Sequence, residues 1–244
     1  MDSSDVEDVY DVRKATLIAI FDKNLDMVAW CRESWPVFLS FDKDKQYCDE
    51  NMKEKYKGLR PIFWGMTGIH INKPSDTQMQ QLAYSSYYSC NCFKGGIGLQ
   101  LGGWIHTHDL WTGCVRDTAY QGESDIFEIQ KAFCELDRVN GNVVPFTNVF
   151  DKGYRNRLQA WLVGNQLTLQ PVFAKSDEKF RRNDTLSSAI IAADRSSNER
   201  AVRLSKMSTY ISRGLDNHQS TERMHFAWLV CWGFQTNFMF DTVV

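Results

Sequence analysis

The chain has 244 residues, 43% of them hydrophobic and 24% charged, with 15 Gly and only 5 Pro, enough to bury one large core or two small ones. This composition excludes collagen-like, disordered and disulfide-rich secreted classes. The net charge is −2, yet residues 151–214 hold 12 basic and 6 acidic side chains, a basic segment on an acidic body that points to a polyanionic ligand. A solvated, Arg-rich helix face is the competing reading of the same charges.

Met1-Asp-Ser-Ser-Asp-Val-Glu-Asp8 is acidic where a signal peptide is basic and then apolar. Seven scattered cysteines, an odd number, fit reduced thiols. The apolar run Phe226–Phe234 is half of what a bilayer requires. An intracellular chain with no membrane partner is expected.

Residues 1–60 read as mostly helical and polar, anchored by Trp30, Trp35 and Phe38 and broken at Pro36, with Asp42–Lys57 as a charged, exposed helix. From Leu59 the texture changes. Residues 61–71 are nearly continuous apolar sequence rich in β-branched side chains, as in a strand buried on both faces. Phe93–Leu101 and Trp104–Trp111, separated by Gly102-Gly103, form a hairpin pattern. Glu123–Asp137 carries Ile126, Phe127, Ile129, Phe133 and Leu136 at helical spacing behind a Ser124 cap.

Val143–Phe150 is a second buried-strand run, with Pro145 near its start. A helix from Asp151 towards Gly164, a short strand over Gln166–Phe173 and one long or two joined helices over Leu186–Leu215 follow, with Gly214 as stop signal. An apolar helix around Phe226–Phe240 closes the chain. Antiparallel strands followed by β-α units predict a mixed α/β sheet with helices on both faces. The division expected is a helical region over 1–58 and a sheet domain over 59–244.

In such a sheet the strands at 61–71 and 143–150 lie side by side. Acidic residues at their ends, with one from the long helix, would meet at one edge, the oxygen-donor set that hard divalent cations prefer. Asp151 stands where the second strand stops, and Glu199 lies on the basic helix.

Phe150-Asp-Lys-Gly-Tyr-Arg155, Gln170–Phe180 and Ala193-Asp-Arg-Ser-Ser-Asn-Glu-Arg-Ala-Val202 resemble DDE-superfamily endonuclease domains of the Harbinger/IS5-like transposase type, over roughly residues 58–240. The resemblance implies an RNase H-like (retroviral integrase-like) fold and an Asp-Asp-Glu triad holding two Mg²⁺ or Mn²⁺ ions for attack on a DNA phosphodiester. Asp151 matches the second triad Asp and Glu199 the Glu. The first Asp belongs to a Trp-Asp-x-Thr pattern that here reads Trp64-Gly65-Met66-Thr67, so one catalytic metal ligand is missing.

Losing a shared carboxylate costs several kcal/mol of two-metal stabilisation, on the order of a thousandfold in rate. Asp109 and Asp117 are the candidate carboxylates to replace it. The implied activity is metal-dependent DNA cleavage or transfer, impaired; the alternative is a domesticated, non-catalytic DNA- or protein-binding module. A nuclear location follows if the source is a eukaryotic transposable element. Residues 1–60 show no basic helix-turn-helix pattern, so either the chain is a fragment or a separate DNA-binding partner protein is expected.

Lys152, Arg155, Arg195, Arg200, Arg203 and Lys206 are the candidate phosphate contacts. Structural alternatives stand beside each role. Asp151 also suits a helix N-cap, and Glu199 an ion pair with Arg195 or Arg203. Tyr84, Tyr87, Tyr88 and Trp111 suit packing better than base stacking. Cys90-x-Cys92 with His106-x-His108 suggests zinc, but a Gly102-Gly103 turn sets His106 opposite Leu99, seven residues from Cys92. That is roughly 23 Å along a strand, too far for one ion.

Overall fold

The computed structural model describes residues 37–117, 124–150 and 182–206, together with 19, 23, 119, 154, 167–169, 225 and 228. In chain order these form α1 (Phe41–Gln46), α2 (Glu50–Lys55), β1 (Arg60–His70), α3 (Thr77–Ala83), β2 (Tyr84–Ser85) and β3 (Cys90–Gln100). There follow β4 (Ile105–Thr112), α4 (Ile126–Leu136), β5 (Phe146–Val149), β6 (Leu167–Leu169) and α5 (Arg182–Lys206). Residues 225 and 228 are helical. No helix among the described residues is long and apolar enough to cross a membrane.

β1 is the central strand. It pairs antiparallel with β3 and parallel with β5; β4 runs antiparallel along the far edge of β3, and β6 lies parallel beyond β5. The short β2 covers the start of that same β3 edge. The chain is thus a mixed α/β protein.

Pleating separates the strands' side chains into two cores. Phe63 and Ile69 of β1 join Phe93, Ile97 and Leu99 of β3, Val149 of β5 and Ala201 of α5 on one face. Ile62 and Trp64 join Phe146 of β5 and Ile126, Phe127 and Cys134 of α4 on the other. Helices therefore cover both faces, as predicted. β1 is buried at every position but Met66, which is half-buried, and the terminal His70, which is exposed. Each large ring removed from water contributes about 2–3 kcal/mol before chain entropy is set against it.

A buried cation fixes where β1 starts. Arg60 has no exposed surface; it ion-pairs with Asp137 at the end of α4 and donates to Cys134 Sγ at 3.3 Å. Its guanidinium lies over the rings of Phe146 (5.0 Å), Phe41 and Phe133 (5.5 Å each). Asp137 also accepts the Phe41 backbone N–H at 2.7 Å, so one carboxylate joins α1, α4 and β1. These bonds and the three rings sustain the pair although Arg60 Nε has no hydrogen-bond partner among the described residues, and removing one partner would leave an uncompensated buried charge.

Several elements differ from the sequence expectation for identifiable reasons. The charged stretch 42–57 forms two short helices, and Asp44 is buried, its Oδ1 accepting the Gly102 N–H at 2.7 Å. That contact explains the hairpin's paired glycines. A Cβ at Gly102 would press on the Asp44 carbonyl oxygen at 2.7 Å, and Gly103 has φ +84°. Residues 38–56 contribute Phe38, Cys48 and Tyr56 to the same two cores as the strands.

α4 is preceded by Asp125 rather than Ser124 at the N-cap. β5 begins directly after Pro145, which has no N–H to give a ladder. The expected helix near 153–164 and the ends of the last two predicted helices lie outside the described residues.

Burial pushes the Asp44 carboxyl up from 3.8 to about 6, against the lowering effect of the Gly102 hydrogen bond. The folded state therefore holds this proton more tightly than the unfolded chain. Its contribution is full below the unfolded value and is lost as pH rises from about 4 to about 6, on the order of 3 kcal/mol. Asp44→Asn keeps an acceptor for Gly102 and removes the titration. Urea midpoints measured across this range should show the wild type losing stability relative to the Asn variant as pH rises. Parallel curves would contradict the buried carboxyl.

Candidate functional site

α5 crosses the face of the sheet made by Phe63, Gly65 and Thr67 of β1 and their β3 neighbours. Its inward stripe is set by Ile191, Ala201 and Val202, all packed against that core. The same helical stripe takes in Asp194 and Asn198, one turn apart and 8% and 2% exposed. These two polar side chains seat the helix. Asp194 accepts the Tyr56 hydroxyl and pairs with Lys55 Nζ. Burial, and then donation to this carboxylate, pushes the Tyr56 hydroxyl pKa far up.

Asn198 meets β1 directly. Its Nδ2 donates to the Phe63 carbonyl at 3.0 Å, while Oδ1 is buried without a hydrogen-bond partner among the described residues. A methyl group at Gly65 would lie 2.7 Å from Asn198 Nδ2 and 3.3 Å from its Cγ. The amide therefore fills the space where a side chain at position 65 would begin. Thr67, on the same face two residues on, also buries a hydroxyl with no partner among the described residues.

The residues expected to carry chemistry distribute as follows. Glu199 is exposed on the flank of α5, next to the inward Asn198. Arg195 is half-buried; Arg200 and Arg203 are exposed, with Arg200 donating to Ser197 Oγ at 2.7 Å. Lys206 is the last residue of α5. Asp151, Lys152 and Arg155 lie outside the described residues.

Both candidate replacement carboxylates are engaged elsewhere. Asp117 pairs with Lys94 at 2.8 Å. Lys94 stands opposite Gly68, which alternates with Gly65 and Thr67, so this pair occupies the α4 face. Asp109 pairs with His225 Nε2 at 3.1 Å, and His225 Nδ1 accepts the Leu110 N–H. Leu110 is opposite Gly95, which is opposite Thr67, so Asp109 lies about two strand spacings, roughly 10 Å, from β1.

Among the described residues no group of three or more His, Cys, Asp or Glu side chains converges on a metal-sized site. The hairpin register differs by one residue from the expectation. Next to the turn His106 lies opposite Gly98 rather than Leu99, and a bulge between Gly95 and Ile97 restores the expected pairing beyond it, with Leu110 opposite Gly95. His106 packs against Phe38 (4.9 Å) and Trp64 (6.1 Å), while Cys92 pairs with His70.

Comparison with protein-family models, curated proteins and solved structures finds no match to this chain.

The seating of Asn198 on Gly65 makes these positions energetically coupled. Gly65→Ala should cost about 1–3 kcal/mol by displacing the amide, and Asn198→Ala about 1–2 kcal/mol for the lost hydrogen bond. Combined, the two should cost about 1 kcal/mol less than their sum, because the new methyl enters space the amide has left. Urea unfolding of the four proteins measures this directly, and strict additivity would refute the contact.

Proposed function

We propose that the chain is a transposase-derived, RNase H-like domain of the DDE superfamily that binds DNA without cleaving it. Four lines support the reading. The strand order β4-β3-β1-β5-β6, three antiparallel followed by two parallel, with a long helix laid over β1, is the order an RNase H-like sheet requires. The position that the motif pattern assigns to the first catalytic Asp is Gly65, on the face that α5 covers. Val149 pairs with Phe63, and Asp151 and Gly65 each follow that pair by two residues in the sequence. The basic excess of residues 151–214 falls on the motif-bearing part of the chain.

The observation that selects binding over cleavage is the amide on Gly65. A Mg²⁺ or Mn²⁺ ion there needs oxygen donors, and a carboxylate first among them. The described residues do not fit it: Gly65 offers no ligand, and the Asn198 N–H donor, the wrong polarity for a cation, occupies the adjoining space. Arg200 and Arg203, one turn apart on the exposed side of α5, are placed to meet phosphates in a sequence-independent, salt-sensitive way.

Titration of a fluorescent DNA duplex at two salt concentrations tests the proposal. Binding should weaken steeply with added salt, and Arg200→Glu with Arg203→Glu should lower affinity at least about tenfold at low salt. Supercoiled plasmid incubated with Mn²⁺ should stay intact. Binding unchanged by charge reversal, or catalytic Mn²⁺-dependent nicking by the wild type, would overturn it.

A further inference from the structure

At the end of the sheet, on the α4 side and away from Gly65, a thiol and an imidazole meet. Cys90 Sγ lies 3.1 Å from His70 Nδ1. The contact is built by strand register: His70 is opposite Cys92 in the β1–β3 ladder, and Cys90, two residues earlier on the same side of β3, is its diagonal neighbour. Tyr88 packs edge-on against the imidazole at 6.4 Å. His70 is exposed and Cys90 half-buried, so reagents in solution reach the pair.

We propose that Cys90, with His70 as its base, is a covalent modification site for low-molecular-weight disulfides. Hydrogen-bonding distance places His70 Nδ1 to take the Cys90 thiol proton as the sulfur becomes nucleophilic. The thiolate attacks one sulfur of the disulfide; a new S–S bond forms to Cys90 and the original S–S bond breaks. The departing thiolate takes the proton from His70 and leaves as a thiol, so Cys90 is oxidised and the incoming disulfide, itself the oxidant, is reduced.

The other described thiols lack this combination. Cys48, Cys92 and Cys134 are buried, and burial raises the pKa of each, that of Cys92 to about 11. Cys114 is exposed, but its sulfur faces the Thr112 hydroxyl at 3.6 Å, which is not a base at neutral pH. Cys114 therefore serves as an internal reference.

The full chain treated with the aromatic disulfide dithionitrobenzoate near neutral pH, with labelled peptides followed over time by mass spectrometry, tests the proposal. Cys90 should react at least about tenfold faster than Cys114, and His70→Gln should bring it to within about threefold of Cys114 while leaving Cys114 unchanged. Equal rates in the wild type, or a lead for Cys90 that survives His70→Gln, would overturn it. If the Gln variant also exposes Cys92 to reagent, the wild-type ratio alone decides.

Discussion

Asp194 and Asn198 put a carboxylate and an amide, one turn apart, on the side of α5 that faces the sheet. Burying them there favours whatever partners the sheet side supplies, because an unpaired polar atom costs about 1–3 kcal/mol and a charge more. Tyr56 and Lys55 supply those partners to Asp194, and the Phe63 carbonyl supplies one to Asn198. Apolar packing by Ile191, Ala201 and Val202 provides the non-directional attraction. The polar pair fixes the helix's rotation and its height along β1.

That rotation determines what chemistry the face can support. With Asn198 turned inward, Glu199 is turned to the flank and is exposed. With Gly65 beneath the amide, the neighbouring strand offers backbone where a metal site needs a carboxylate. The same contact that docks the helix thus fills the space in which a first ligand would stand. A glycine at position 65 and an amide at 198 are mutually consistent, since each makes room for the other. Binding through the exposed arginines needs only the outer side of the helix, which this packing leaves in solvent.

Much of the framework was legible in the residues. The apolar, β-branched run predicted at 61–71 is β1 at Arg60–His70, and the paired glycines 102 and 103 turn the hairpin. The helix α5 begins at Arg182, four residues before the predicted start, because Arg182-Asn-Asp-Thr185 has no apolar residue to set a period. Next to the turn the hairpin register is one residue off the spacing, and a bulge between Gly95 and Ile97 restores it, neither of which spacing alone encodes.

The site was less legible. The triad motif points to Glu199, whereas the spacing of Ile191, Ala201 and Val202 turns Asp194 and Asn198 inward. The His70–Cys90 pair depends on β1–β3 register, a long-range property.

The most direct measurement of the central contact is a cross-link. Gly65→Cys and Asn198→Cys introduced together into the chain, followed by mild oxidation and peptide mapping, report whether the two backbones approach. A disulfide between positions 65 and 198, formed in the folded protein, is the predicted result. A folded double variant in which both new thiols stay free, or pair only with other cysteines, would mean that α5 does not sit over Gly65.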